Sequence, residues 1–141
     1  MSELVVILDY GMGNLHSAAK ALERVADGQK ILVSGDPEQA LKADRVVFPG
    51  VGAIRDCMHE LKQSGLDQVV LETAAAGKPL LGICVGMQAL MNHSEENGGT
   101  ECLGVMPGEV VHFGEPVGEL GERLKVPHMG WNQVGQSQAH P

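Results

Sequence analysis

A cysteine stands between two glycines in Gly82-Ile83-Cys84-Val85-Gly86, where an apolar run gives way to a helical stretch. Leu80, Leu81 and Ile83 read as the end of a buried strand, and Val85 through Met91 as the start of a helix. A residue at such a junction sits on a sharp turn, and the flanking glycines let neighbouring backbone come close. The helix start behind it offers unpaired N–H groups and a partial positive charge, which favour thiolate over thiol. That pattern points to a nucleophile. The competing reading is a core cysteine, since free cysteine is among the most buried residue types.

A thiol that attacks an acyl carbon needs donors for the developing oxyanion and a general base. Val85, just after Cys84, can offer one backbone N–H, and the loop Gly50-Val51-Gly52 at the end of another strand can offer a second. Both fall where open α/β sheets bind ligands, outside the carboxyl ends of the strands. The base is not assigned: histidines stand at 16, 59, 93, 112, 128 and 140, and only His128, in Pro127-His128-Met129-Gly130-Trp131-Asn132, has a distinctive setting. No CxxC or HxxxH spacing supports a metal site, so none is expected. Gly11-Met12-Gly13-Asn14-Leu15-His16 lacks the third glycine of a dinucleotide fingerprint. Glu95-Glu96 reads as a solvated pair, and Cys57 and Cys102 as bystanders.

The elements that would position these groups alternate along the chain. Strands are expected at Leu4–Leu8, Lys30–Ser34, Arg45–Phe48 and Lys78–Ile83, and helices at 14–26, from Asp36-Pro37 through Leu41, at Ile54–Gln63 and at 66–76. Such alternation implies a parallel sheet with helices on both faces. Residues 93–104 read as a loop, 105–113 and 123–134 as antiparallel strands or loop segments, and 135–141 as a tail prone to fray.

At 141 residues the chain has the size of one domain, and its net charge of −8 with ten scattered basic residues argues against nucleic acid as the main partner. No apolar run reaches membrane-spanning length, no signal peptide precedes the first strand, and three unrelated cysteines suit a reducing compartment. A cytoplasmic protein without a membrane partner is expected.

Four segments together resemble the glutamine amidotransferase subunit of imidazole glycerol phosphate synthase, within the class I (triad-type) amidotransferases. They are Asp9-Tyr10-Gly11-Met12-Gly13-Asn14-Leu15, Pro49-Gly50-Val51-Gly52-Ala53, Gly82-Ile83-Cys84-Val85-Gly86-Met87-Gln88 and Pro127-His128-Met129-Gly130-Trp131-Asn132. The resemblance implies a flavodoxin-like open, mostly parallel sheet, with residues 1–141 forming a single amidotransferase domain incomplete at its C-terminus. It further implies that Cys84 attacks the side-chain amide of glutamine, giving a thioester and ammonia, with no cofactor. Val51 and Val85 would form the oxyanion hole, Gly50 and Gly52 would permit the peptide to reorient, and Gly50, Gly52, Gln88 and Glu96 would lie at the substrate. Asn14, His128, Met129, Gly130, Trp131 and Asn132 would face a (β/α)8-barrel cyclase that receives the ammonia in histidine biosynthesis. The family's base, a His-x-Glu, falls well beyond Pro141, so the chain as given is expected to turn over weakly or not at all. The alternative is a non-catalytic module that only docks on the cyclase.

Overall fold

The structure is a computed structural model that describes residues 2–139, and it divides into two compact units, 1–111 and 112–141. The first unit is built on four parallel strands: β1 (Leu4–Leu8), β2 (Lys30–Ser34), β3 (Arg45–Gly50) and β4 (Leu80–Cys84), in the order β2-β1-β3-β4. Helices α1 (Leu15–Val25), α2 (Pro37–Leu41), α3 (Ile54–Gln63), α4 (Leu66–Ala75) and α5 (Val85–Ala89) join or follow them. This is the open, flavodoxin-like α/β arrangement expected from the sequence.

Alternation along the strands feeds two cores. Val6 and Leu8 of β1 and Val46 and Phe48 of β3 pack with α2 to α5, whose buried side chains include Ile54, Leu61, Leu66, Val70 and Ala89. Val5, Ile7 and Val47 point the other way, onto Leu15, Ala18, Ala19 and Leu22 of α1. That second core is thin, because α1 itself has no fully buried residue. Beyond it, Leu81 and Ile83 of the edge strand β4 remain exposed.

Local chemistry sets the helix ends. The Asn14 side chain accepts from the Ser17 N–H at the start of α1, and Asp36 accepts from the Glu38 N–H ahead of Pro37 in α2. The strand β3 runs two residues further than its apolar run suggests. Pro49 and Gly50 pair with Ile83 and Cys84, so β4 draws the loop into the sheet.

The largest departure from the sequence reading follows Asn92. Residues 93–104 are not a plain loop: β5 (His93–Ser94) pairs antiparallel with β6 (Thr100–Glu101) and parallel with β7 (Glu109–Val110). These strands span only two residues each, too short to leave a periodic signal. The turn residues Asn97-Gly98-Gly99 were the available clue, with positive φ at all three. Residues 103–106 also stop α5, since the N–H groups of Leu103, Met106 and Gly104 take up the carbonyls of Ala89, Leu90 and Met91.

The second unit contains one isolated antiparallel bridge, Val117 to Arg123, with an Arg123–Glu115 ion pair beside it. Its remaining described residues form no regular strand or helix, including 135–139 of the expected tail; His140 and Pro141 lie outside the described residues. No helix among the described residues is long and apolar enough to cross a membrane.

Candidate active site

Cys84 closes β4 and occupies the cap position of α5, with φ 56° and ψ −118°. That backbone conformation is costly for any residue with a Cβ, and it turns a strand sharply into a helix. Cys84 is exposed, so the core-cysteine reading does not describe it. The turn needs space as well as strain. A Cβ on Gly82 would lie 2.8 Å from the Met87 Cα, and one on Gly86 would overlap the Phe48 carbonyl oxygen. Glycine at both positions therefore lets α5 sit directly on β3 and β4.

Parallel pairing then brings the second predicted element alongside. Gly50 is the register partner of Cys84, so the loop Gly50-Val51-Gly52 begins one strand spacing, about 5 Å, from the thiol-bearing residue. Gly50 is buried and tightly packed: a Cβ there would lie 2.6 Å from the Tyr10 hydroxyl and 2.8 Å from the Gly86 nitrogen. Val51 is exposed, and Gly52 turns the chain at φ 89° into α3. Val85 is buried as the first residue of α5, and Gln88 lies one turn further along that helix, half-buried.

Glu96 comes to the same corner from the short 3-10 turn Glu96–Gly98. Its carboxylate accepts from the Ile54 N–H at 3.2 Å, at the first residue of α3, where Ala53 supplies no side-chain cap. It is not simply a solvated charge: it caps the helix that follows the Gly50-Val51-Gly52 loop. Removing it as Glu96→Ala should cost about 1 kcal/mol of stability, read as a lower urea midpoint at unchanged slope.

Cys57, set aside as a bystander from its sequence context, is buried, and its thiol donates to the Val51 carbonyl at 3.2 Å. Tyr10, at the end of β1, donates its hydroxyl to the Pro49 carbonyl at 2.6 Å. Burial raises the Tyr10 phenol well above its ordinary range, with the neighbouring Cys57 and Cys84 adding to it, and burial likewise raises the Cys57 thiol. Cys57 carried no motif, and Tyr10, though within the Asp9–Leu15 segment, was given no role there; their contacts reveal both.

Among the described residues, no hydrogen bond joins a histidine to Cys84. One spacing, His93-Ser94-Glu95, puts a carboxylate two residues after a histidine. In the fold, Ser94 is wholly buried, the His93 imidazole lies against Gly99 in the small sheet, and no hydrogen bond links it to Cys84 among the described residues. Nor do the described residues include a group of three His, Cys, Asp or Glu placed to hold a metal ion. Asn14 is committed to capping α1 in the first unit. In the second, His128 to Asn132 are exposed throughout, Trp131 completely.

A thiol on a strained strand-to-helix turn beside a glycine-flanked loop is an arrangement suited to acyl transfer. Residues 3–120 match the CobB/CobQ-like glutamine amidotransferase domain. The chain belongs to the glutamine amidotransferase family. Among similar proteins, the imidazole glycerol phosphate synthase subunit HisH of Pseudomonas putida is 59% identical over 139 residues, covering 99% of this chain and 65% of its own length. Subunit HisH 1 of Pseudomonas aeruginosa is 59% identical over 141 residues, covering 100% of this chain and 65% of its own. This amidotransferase chain thus spans slightly under two thirds of the curated relatives it matches. Its fold is also similar to a crystal structure of a glutamine amidotransferase, with a TM-score of 0.64 at 22% identity, covering 80% of this chain and 59% of that one.

Proposed function

We propose that this chain is the glutaminase part of an imidazole glycerol phosphate synthase, working in histidine biosynthesis and handing ammonia to a (β/α)8-barrel cyclase subunit. The observation that carries the reading is the register pairing of Gly50 with Cys84, which puts a candidate nucleophile beside a candidate oxyanion loop. The names of relatives 59% identical over nearly all of this chain support the choice of pathway. In the proposed reaction the Cys84 sulfur attacks the side-chain amide carbon of glutamine. The carbonyl oxygen takes the negative charge, facing the N–H groups of Val51 and Val85. Collapse of the tetrahedral intermediate breaks the C–N bond, the nitrogen takes up the proton given up by the thiol and leaves as ammonia, and water then hydrolyses the glutamyl thioester to glutamate and the free Cys84 thiol. Gly50, Gly52, Gln88 and Glu96 line the substrate in this reading. Delivery to a bound cyclase matters because ammonia released into bulk water is protonated and loses its nucleophilic pair.

With no histidine assigned as base, the chain as given should turn over weakly, so the test reads the thiol rather than the product. Incubation with 6-diazo-5-oxo-L-norleucine, a glutamine analogue that alkylates reactive thiols, should add one label at Cys84, and excess glutamine should slow it. Equal labelling of Cys57 or Cys102, or no competition by glutamine, would overturn the reading. A second reading, docking on the cyclase without catalysis, draws on the exposed Met129, Trp131 and Val134.

A further inference from the structure

The loop that carries the Val51 N–H is held from behind on both sides. Pro49, before the Gly50-Val51 peptide, has its carbonyl bound by the Tyr10 hydroxyl at 2.6 Å. Val51, after it, has its carbonyl bound by the Cys57 thiol at 3.2 Å. Both donors are buried, Tyr10 at 4% and Cys57 at 1% exposure, so water does not compete for these carbonyls. The Tyr10 hydroxyl occupies the space a side chain at Gly50 would need, since a Cβ there would lie 2.6 Å from that oxygen. Three chain segments meet here: the end of β1, the end of β3 and the first turn of α3. Two glycines would otherwise leave the peptide between them loose.

We infer that Tyr10 and Cys57 are positioning residues of the oxyanion loop, which grip the carbonyls flanking the Gly50-Val51 peptide and thereby set the direction of the Val51 N–H. This rests on the glutaminase reading above. Neither residue touches substrate; each acts through the loop backbone. Burial keeps the phenol and the thiol protonated at neutral pH, so both hydrogens remain available to donate. A serine at position 57 retains a donor, whereas an alanine leaves the Val51 carbonyl unmet.

The test compares a ligand that builds a tetrahedral oxygen with one that does not, on the full chain and without turnover. Iodoacetamide alkylation of Cys84 is followed by mass spectrometry at increasing L-glutamate γ-semialdehyde, whose aldehyde carbon forms a thiohemiacetal with the thiol, and in parallel at increasing L-glutamate. Tyr10→Phe and Cys57→Ala should each raise the aldehyde concentration needed for half-protection roughly tenfold, less than the loss of a direct donor. The glutamate concentration for half-protection should move less than twofold, and Cys57→Ser should stay near the parent value. Wild-type-like aldehyde protection in folded Tyr10→Phe and Cys57→Ala would overturn the inference, as would Cys57→Ser losing as much as Cys57→Ala. Should Cys57→Ala melt below the assay temperature, the Tyr10→Phe and Cys57→Ser arms decide. If the parent chain is protected no better by the aldehyde than by glutamate, it is the glutaminase reading that fails, not the grip alone.

Discussion

Cys84→Ala should lower covalent labelling by 6-diazo-5-oxo-L-norleucine, followed by mass spectrometry of the full chain, by at least about a thousandfold, because the attacking sulfur is gone. The same position carries a second, opposite expectation. At φ 56° and ψ −118° the backbone lies where a side chain is strained, and only glycine is at ease. Cys84→Gly should therefore be more stable than Cys84→Ala by about 1 kcal/mol, visible as a higher melting temperature, while being equally inactive. Stability gained as activity disappears would mark strain held for function; equal stability of the two variants would remove that argument.

Gly86→Ala should be the most damaging single substitution for the fold. The added Cβ would overlap the Phe48 carbonyl and approach the Pro49 carbonyl carbon to 3.2 Å. Phe48 is itself fixed in the main core at 1% exposure, so β3 has little room to retreat. Gly86 has no positive φ, so the cost is one of space, about 3 kcal/mol or more. That is a large part of the stability of a typical domain, and denaturant unfolding should show a low or absent transition. Gly77→Ala gives the contrast. There the φ is 66° with nothing within 4 Å, and the loss should stay near about 1 kcal/mol.

Much of this could be read from residue order. The apolar runs Leu4–Leu8 and Ile31–Val33 marked β1 and β2; β1 is interior to the sheet, where hydrophobicity alone marks a strand, and β2 forms its edge. Asn14 and Asp36-Pro37 announced the helix starts through their capping chemistry. Cys84 and the Gly50–Gly52 loop were legible because a turn that tight restricts residue type. What stayed hidden was decided by contacts distant in sequence. The extension of β3 depends on β4, and the role of Cys57 depends on a carbonyl six residues away across a turn. Glu96 closes a helix that starts forty-two residues earlier, and nothing local to Glu95-Glu96 distinguishes that from a solvated pair. The small sheet of β5, β6 and β7 escaped for a simpler reason, since two-residue strands leave no pattern.

The unequal cores have a consequence for how the first unit opens. Helix α1 rests on three buried side chains, Val5, Ile7 and Val47, whereas α2 to α5 share a far larger cluster with the opposite face. Amide protons of α1 are therefore the ones set to exchange through small, low-energy openings, ahead of the amides in α3 and α4. The Cys84 turn is anchored in the larger cluster through Val85 and Ala89, so openings of α1 should leave the strained backbone that bears the thiol in place.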